Sequence, residues 1–68
     1  MGRIISWDQS PCGHYSFEDY GVYVVVELPC GGDVFAQGDS ADIIRQEWAH
    51  CVEAGCFRIW EEYRPEAV

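Results

Sequence analysis

The stretch VYVVVEL at 22–28 constrains the fold of this chain more than any other part of the sequence. Every second residue from Val22 to Leu28 is apolar, and these residues share one side of an extended chain. The alternate residues are also apolar until Glu27. A strand with apolar residues on both sides is typical of the middle of a sheet, where both faces are at least partly covered. We therefore predict a central strand over Val22–Leu28.

Shorter strands are predicted on either side of this central strand. Pro29–Asp33 has the composition of a turn, and its two glycines permit positive φ. Val34–Gln37 then returns as the second strand of a hairpin. Upstream, Ile4–Trp7 is predicted as a short strand. Asp8–Gly21 is rich in proline, glycine, serine and acidic residues, which predicts a loop with aromatic anchors.

One helix is predicted after the hairpin. Asp39 or Ser40 is suited to cap its N-terminus, and Asp39 and Asp42 favour the positive end of the helix dipole. Gly55 is suited to a left-handed cap at the C-terminus. One apolar stripe is expected to face the sheet, formed by Ile44, Trp48, Cys51 and Val52.

A last strand is predicted over Cys56–Tyr63, which ends at Arg64–Pro65. The element order is then β-β-β-α-β, within a single domain over 1–68. The fold class is α+β: a small antiparallel sheet of three or four strands with one helix packed across it. If the long first loop does not cover the opposite face of this sheet, we expect the aromatic residues exposed there to form a binding site.

The charge of the chain restricts the partners that it can bind. Twelve acidic residues stand against four arginines, there is no lysine, and the net charge is −8. DNA and RNA are polyanions that proteins hold with lysine and arginine, so direct binding to nucleic acid is excluded. A basic protein surface is the partner that this charge favours. The alternative is that the acidity only keeps the protein soluble.

Four cysteines are present, and we interpret them as core residues, since cysteine is among the most buried residue types. A disulfide framework and a zinc site are the alternatives, although no CxxC pair supports zinc. His50 and Cys51 are adjacent on the predicted helix and point about 100° apart, so they do not form a catalytic pair. We therefore predict a protein that is not an enzyme and that has no cofactor, no metal site and no catalytic residue.

The acidic side chains are the candidate partner-binding residues. Carboxylates on strands and helix ends can be spaced on the scale of DNA phosphates, since alternate strand residues lie about 6.6 Å apart. The candidates are Glu18, Asp19, Asp33, Asp39, Asp42, Glu53, Glu61 and Glu62. Tyr20 or Tyr63 is expected to supply apolar contact area at the centre of such a patch.

As a short, acidic, single-domain α+β chain without an enzyme motif, the protein resembles the small phage-encoded anti-CRISPR proteins. The stretch GHYSFEDYGVYVVVELPCGGDVFAQGDSADIIRQEW carries this resemblance, which assigns no role to any individual residue. It implies a DNA-mimic-like inhibitor of a type I CRISPR surveillance complex (Cascade), with type I-C as the subtype to consider. Such an inhibitor would occupy the basic surface, on the large subunit, that recognises the short PAM motif beside the DNA target.

Two other functions stay open at this point. One is an anti-restriction or other host-takeover protein that binds a basic surface of a different nucleic-acid enzyme. The other is a small cysteine-based metal-binding protein. The N-terminus lacks a signal-peptide pattern and no stretch has the length of a membrane span. We therefore expect a monomer in the host bacterial cytoplasm that binds no membrane.

Overall fold

The computed structural model describes residues 3–62. The described elements are β1 (Ser6–Gln9), β2 (Ser16–Asp19), β3 (Tyr23–Glu27), β4 (Asp33–Gln37), α1 (Asp39–Ala54) and α2 (Ile59–Glu62). The strands form one four-stranded antiparallel sheet in the order β1-β2-β3-β4, and α1 packs across one of its faces. The predicted α+β class, with one helix across a small antiparallel sheet, is confirmed.

β3 lies in the middle of the sheet, as the apolar character of both its sides predicts. It pairs with β2 on one side and with β4 on the other. Val24 and Val26 are completely buried, and Leu28 packs against the core. Val22 differs from its predicted position, because it lies in the turn before β3 and 73% of its surface is exposed.

The segment predicted as a long loop contains a strand, β2. Three residues separate β2 from β3, and the hydrogen bond from the Tyr20 N–H to the Tyr23 carbonyl, at 2.8 Å, leaves Gly21 and Val22 at the tip of the turn. Gly21 begins this turn with a φ of 89°, a conformation that glycine supplies in type II′ hairpins. β1 correspondingly begins at Ser6 and ends at Gln9, two residues later than predicted at each end.

α1 has the predicted extent, but its N-terminus is capped differently. The N-cap residue is Gly38, with φ 63° and ψ −136°, and no side chain makes a capping hydrogen bond. The expectation that Asp39 or Ser40 caps this helix is therefore wrong. Asp39 already lies inside the first turn, because the backbone of Gly38 turns the chain directly from β4 into the helix. Gly55 adopts the predicted left-handed conformation, with φ 75°, and its N–H donates to the Cys51 carbonyl.

The predicted last strand is wrong, because the segment turns into a short helix. Phe57 and Trp60 are both buried, and a spacing of three residues places them on the same side only in a helical turn. The Trp60 N–H donates to the Phe57 carbonyl and the Glu61 N–H to the Arg58 carbonyl, which starts α2. The element order is thus four strands followed by two helices. Tyr63 and Arg64–Pro65 lie outside the described residues.

The core lies between the sheet and α1, and the C-terminal turn closes one end of it. Trp48 is at its centre: its ring stacks on Phe17 at 5.3 Å and meets Phe57 edge-on at 5.2 Å. The Trp48 indole N–H donates to an Asp8 carboxylate oxygen at 2.8 Å, so the polar atom of this side chain is also satisfied. Three residues of the predicted stripe are buried, whereas Val52 is 41% exposed.

Candidate docking surface

The second face of the sheet has no element packed on it within residues 3–62. Strand pairing places three rows of side chains there, which together we call the open face. Its members are Trp7, Gln9, Ser16, Glu18, Tyr20, Tyr23, Val25, Glu27, Asp33, Phe35 and Gln37. Alternation along each strand assigns these residues to the side opposite the buried core residues. The open face is therefore a surface of defined composition that the rest of the described chain leaves accessible.

Aromatic rings make up much of the open face. The Tyr20 and Tyr23 rings are stacked with their centroids 4.6 Å apart, and Tyr23 meets Phe35 at 5.1 Å. Trp7 is 55% exposed and Phe35 is 49% exposed. Large aromatic side chains in solvent cost free energy unless a partner covers them, so an exposed group of them is typical of an interaction site.

Three carboxylates lie among these rings. Glu18 and Glu27 are diagonal neighbours on β2 and β3, and Glu27 stands directly opposite Asp33 on β4. A hydrogen bond with Glu18 and the charge of that side chain raise the pKa of Glu27 above its usual value, and the charge of Asp33 adds to the effect. Tyr20 donates its hydroxyl hydrogen to Glu18 at 3.0 Å, which raises the pKa of the tyrosine. Negative charge is thus concentrated on the open face across β2, β3 and β4, at Glu18, Glu27 and Asp33.

No positive side chain of the described chain neutralises this cluster. The ion pairs formed within residues 3–62 both involve Arg45, which binds Asp19 and Asp42. Neither of these acidic residues belongs to the open face. Because like charges close together repel, the three carboxylates raise the free energy of the unbound protein. A positively charged partner would relieve this repulsion.

The structure separates the eight acidic candidates into several groups. Glu18 and Asp33 belong to the open face. Asp39 and Asp42 lie in the first turn of α1, and Glu53 lies near its end. Glu61 and Glu62 lie on α2 rather than on a strand, and Glu61 accepts a hydrogen bond from the Tyr15 hydroxyl. The candidates therefore do not form one continuous row of negative charge.

Asp19 is the candidate whose surroundings differ most from those expected of a contact residue. It is 9% exposed and lies on the face that α1 covers. Arg45 donates to both of its carboxylate oxygens, at 2.8 and 2.9 Å, and this guanidinium lowers the pKa of Asp19. The Gly21 N–H donates to the same carboxylate at 2.8 Å. These bonds fasten α1 to the turn between β2 and β3.

The sequence candidates did not include four residues that characterise the open face: Trp7, Tyr23, Glu27 and Phe35. Glu27 stood on the less apolar side of the central strand, and Phe35 alternates with the buried Val34 and Ala36. Both signals were present in the sequence. These two residues can be assigned to a common surface only when β2 is recognised, because β2 contributes Glu18 and places Trp7 of β1 on the same side of the sheet.

The cysteines do not share the core position expected of them. Cys51 is buried, whereas Cys12, Cys30 and Cys56 are exposed, and all four are free thiols. Residues 3–62 contain no group of three or more histidine, cysteine, aspartate or glutamate side chains placed to hold a metal ion. A hydrogen bond with Ser10 lowers the pKa of Cys12, which lines a cleft of about 270 Å³ with Tyr15 and Phe57.

Comparison with protein-family models, curated proteins and solved structures finds no match to this chain. Neither helix within residues 3–62 has the length and apolar character that a bilayer span requires.

Proposed function

We propose that this protein is a non-enzymatic inhibitor that binds a basic, DNA-binding surface of another protein through its open face. The observation that carries the proposal is the composition of that face, where three carboxylates without a cation of their own lie among exposed aromatic rings. Partly exposed aromatic residues supply contact area, and the carboxylates supply selectivity for a positive surface. The net charge of −8 would also accelerate association with such a surface.

The target that we propose is a type I CRISPR surveillance complex, with type I-C as the first subtype to test. The resemblance to small acidic anti-CRISPR proteins supports this choice. The complex recognises DNA through lysine and arginine side chains, which a rigid, acidic sheet face can occupy in place of DNA. The protein would act as a monomer in the host bacterial cytoplasm, without a cofactor.

A gel shift of target DNA by a purified type I-C surveillance complex tests this proposal. Stoichiometric protein should abolish the shifted band, and additional DNA should restore it, because the two compete for one surface. If the band persists while the protein migrates with the complex, inhibition follows DNA binding and the competition mechanism is wrong. Absence of both inhibition and association rejects this target; an anti-restriction or other host-takeover role would then be examined by a pull-down with purified basic nucleic-acid enzymes.

Two double variants with equal changes in charge locate the binding surface. Glu18→Gln with Asp33→Asn removes two charges from the open face, and Asp39→Asn with Glu53→Gln removes two from α1. We expect the first pair of substitutions to weaken inhibition at least about tenfold, since each contact in a charged interface contributes on the order of 1 kcal/mol or more. The second pair should leave inhibition nearly unchanged. If both double variants lose inhibition to the same extent, the overall charge of the protein, and not the open face, determines binding.

A further inference from the structure

The open face carries two kinds of group that together select an arginine side chain. Flat rings are provided by Tyr20, Tyr23 and Phe35, whose neighbouring centroids lie 4.6 and 5.1 Å apart. Carboxylates are provided by Glu18 and Glu27, which are diagonal neighbours on β2 and β3. A guanidinium is planar, stacks on aromatic rings and donates several hydrogen bonds in one plane, so it can satisfy both kinds of group together.

Lysine matches this surface less well. Its ammonium group is a compact, strongly hydrated charge that cannot stack on a ring and donate to two carboxylates in the same plane. Within residues 3–62, Arg45 lies against Asp19 and Asp42 and does not fill the position beside Glu18 and Glu27. The position is therefore open to an arginine of another molecule.

A second copy of this chain is a poor occupant of the open face. Each copy carries a net charge of −8, and a face-to-face dimer would bring two clusters of three carboxylates together. Like charges placed opposite each other destabilise an interface, by several kcal/mol where they are desolvated. Charge complementarity favours a basic protein segment instead.

We propose that the open face binds a basic protein segment by placing one of its arginine side chains against the Tyr23 and Phe35 rings, with the guanidinium donating to Glu18 and Glu27. The proposal deepens the proposed function and relies on it for the positive sign of the partner. It adds a requirement that charge alone does not impose, namely that arginine is preferred over lysine at equal charge.

Titration of the ¹⁵N-labelled protein with hexaarginine and with hexalysine, at the same ionic strength, tests this requirement. We expect hexaarginine to bind about tenfold more tightly, which corresponds to about 1.4 kcal/mol, within the range of cation–π and bidentate contacts. Its largest chemical-shift changes should fall on Glu18, Tyr23, Glu27 and Phe35. Equal affinities for the two peptides, or changes centred on α1, would overturn the proposal.

The variant Phe35→Leu separates stacking from charge. It removes a ring but no charge, and Phe35 is half-exposed, so folding should be retained. Binding of hexaarginine should weaken severalfold while binding of hexalysine stays the same. Loss of both in equal measure would contradict a stacked arginine, and so would a concentration-dependent dimer that blocks both peptides.

The result for the peptides is independent of the result for the surveillance complex. If hexaarginine binds the open face selectively but the complex does not associate, the arginine preference stands and the proposed target fails. If the complex is inhibited while the two peptides bind equally, the proposed function stands and the arginine preference fails.

Discussion

On the face that α1 covers, Phe17, Val24 and Val26 are buried with Trp48. Two carboxylates on that face have partners: Asp8 accepts the Trp48 N–H and Asp19 binds Arg45. On the open face of the same strands, aromatic rings remain half-exposed and three carboxylates have no cation within residues 3–62. The strand β2 contributes to both faces, since its consecutive residues Glu18 and Asp19 lie on the open face and on the covered face, respectively.

The difference indicates which face stabilises the fold and which face is left accessible to a partner. Burial of apolar area and satisfied polar groups stabilise the fold, so the covered face should account for most of the free energy of unfolding. The open face has repulsive charge and exposed rings, which contribute little to the stability of the free protein and are the features that a partner would use. Substitutions at matched positions on the two faces test this division.

The largest difference is expected between the two tryptophans, Trp48 and Trp7. Trp48→Ala removes a buried ring with three aromatic neighbours and should destabilise the protein by about 4 kcal/mol, enough to unfold much of a domain this small. Trp7→Ala removes a ring that is 55% exposed and should cost less than about 1 kcal/mol. Urea unfolding monitored by circular dichroism measures both, and similar losses would mean that the open face also contributes to the core.

Consecutive acidic residues of β2 give the next comparison. Asp19→Ala should cost about 2 kcal/mol at pH 7, because Arg45 and the Gly21 N–H lose their acceptor, whereas Glu18→Ala should change stability by less than about 0.5 kcal/mol. Arg45 lowers the pKa of Asp19, so its contribution is present above the ordinary value of 3.8 and is lost as the pH falls through the lower folded value. Urea midpoints from pH 7 to pH 2 should therefore show the two variants converging; a constant gap would argue against the ion pair.

Tyr15 and Tyr20 allow a hydrogen bond on the covered face to be compared with one on the open face. Tyr15 is buried and its hydroxyl donates to Glu61, so Tyr15→Phe should cost about 1 kcal/mol. Tyr20 donates to Glu18 in a half-buried position, and Tyr20→Phe should change stability very little. The bond to Glu61 raises the pKa of Tyr15 to about 12, so the stability it provides is full below the ordinary value of 10 and is lost as the pH rises toward 12. Absorbance titration of tyrosinate in both variants identifies the late-titrating group.

The smallest effect, of opposite sign, is expected for Glu27→Gln. Because the pKa of Glu27 is raised by Glu18 and Asp33, the wild-type protein loses some stability as the pH rises through that value. The variant should therefore melt slightly higher at pH 7, and the difference should disappear below the ordinary pKa of 4.5. A lower melting temperature at pH 7 would show that Glu27 has a cationic partner after all.

The sequence predicted correctly those elements whose apolar pattern is strong within the element itself. The apolar run at 22–28 gave the central strand, and the stripe from Ile44 to Cys51 with Gly55 gave the helix and its end. β2 was not predicted because it spans only Ser16–Asp19, which is too short for a clear alternating pattern. It is a strand because it pairs with both β1 and β3. The segment after Gly55 alternates like a strand, but the burial of Phe57 with Trp60 selects a helical turn, and that contact depends on the finished core.

The composition of the chain predicted that acidic and aromatic side chains would be exposed, but it did not predict which of them lie together. An acidic chain with ten aromatic residues must expose carboxylates, and its small size leaves some rings at the surface. Which acidic residues share a surface depends on strand register, which places Glu27 beside Glu18 and turns Asp19 toward Arg45. Register is a property of the assembled sheet, so the eight acidic candidates could be recognised as exposed types but not grouped.

The meander order of the strands has a consequence for how the chain is made. Each strand pairs with its neighbour in sequence, so the sheet is complete at Gln37, before any residue of α1 is needed. Such a sheet would present both faces to solvent until α1 packs on one of them, and local pairing of this kind forms in milliseconds to seconds. Repulsion between the carboxylates of the open face would then oppose association of two incompletely folded chains until α1 is in place.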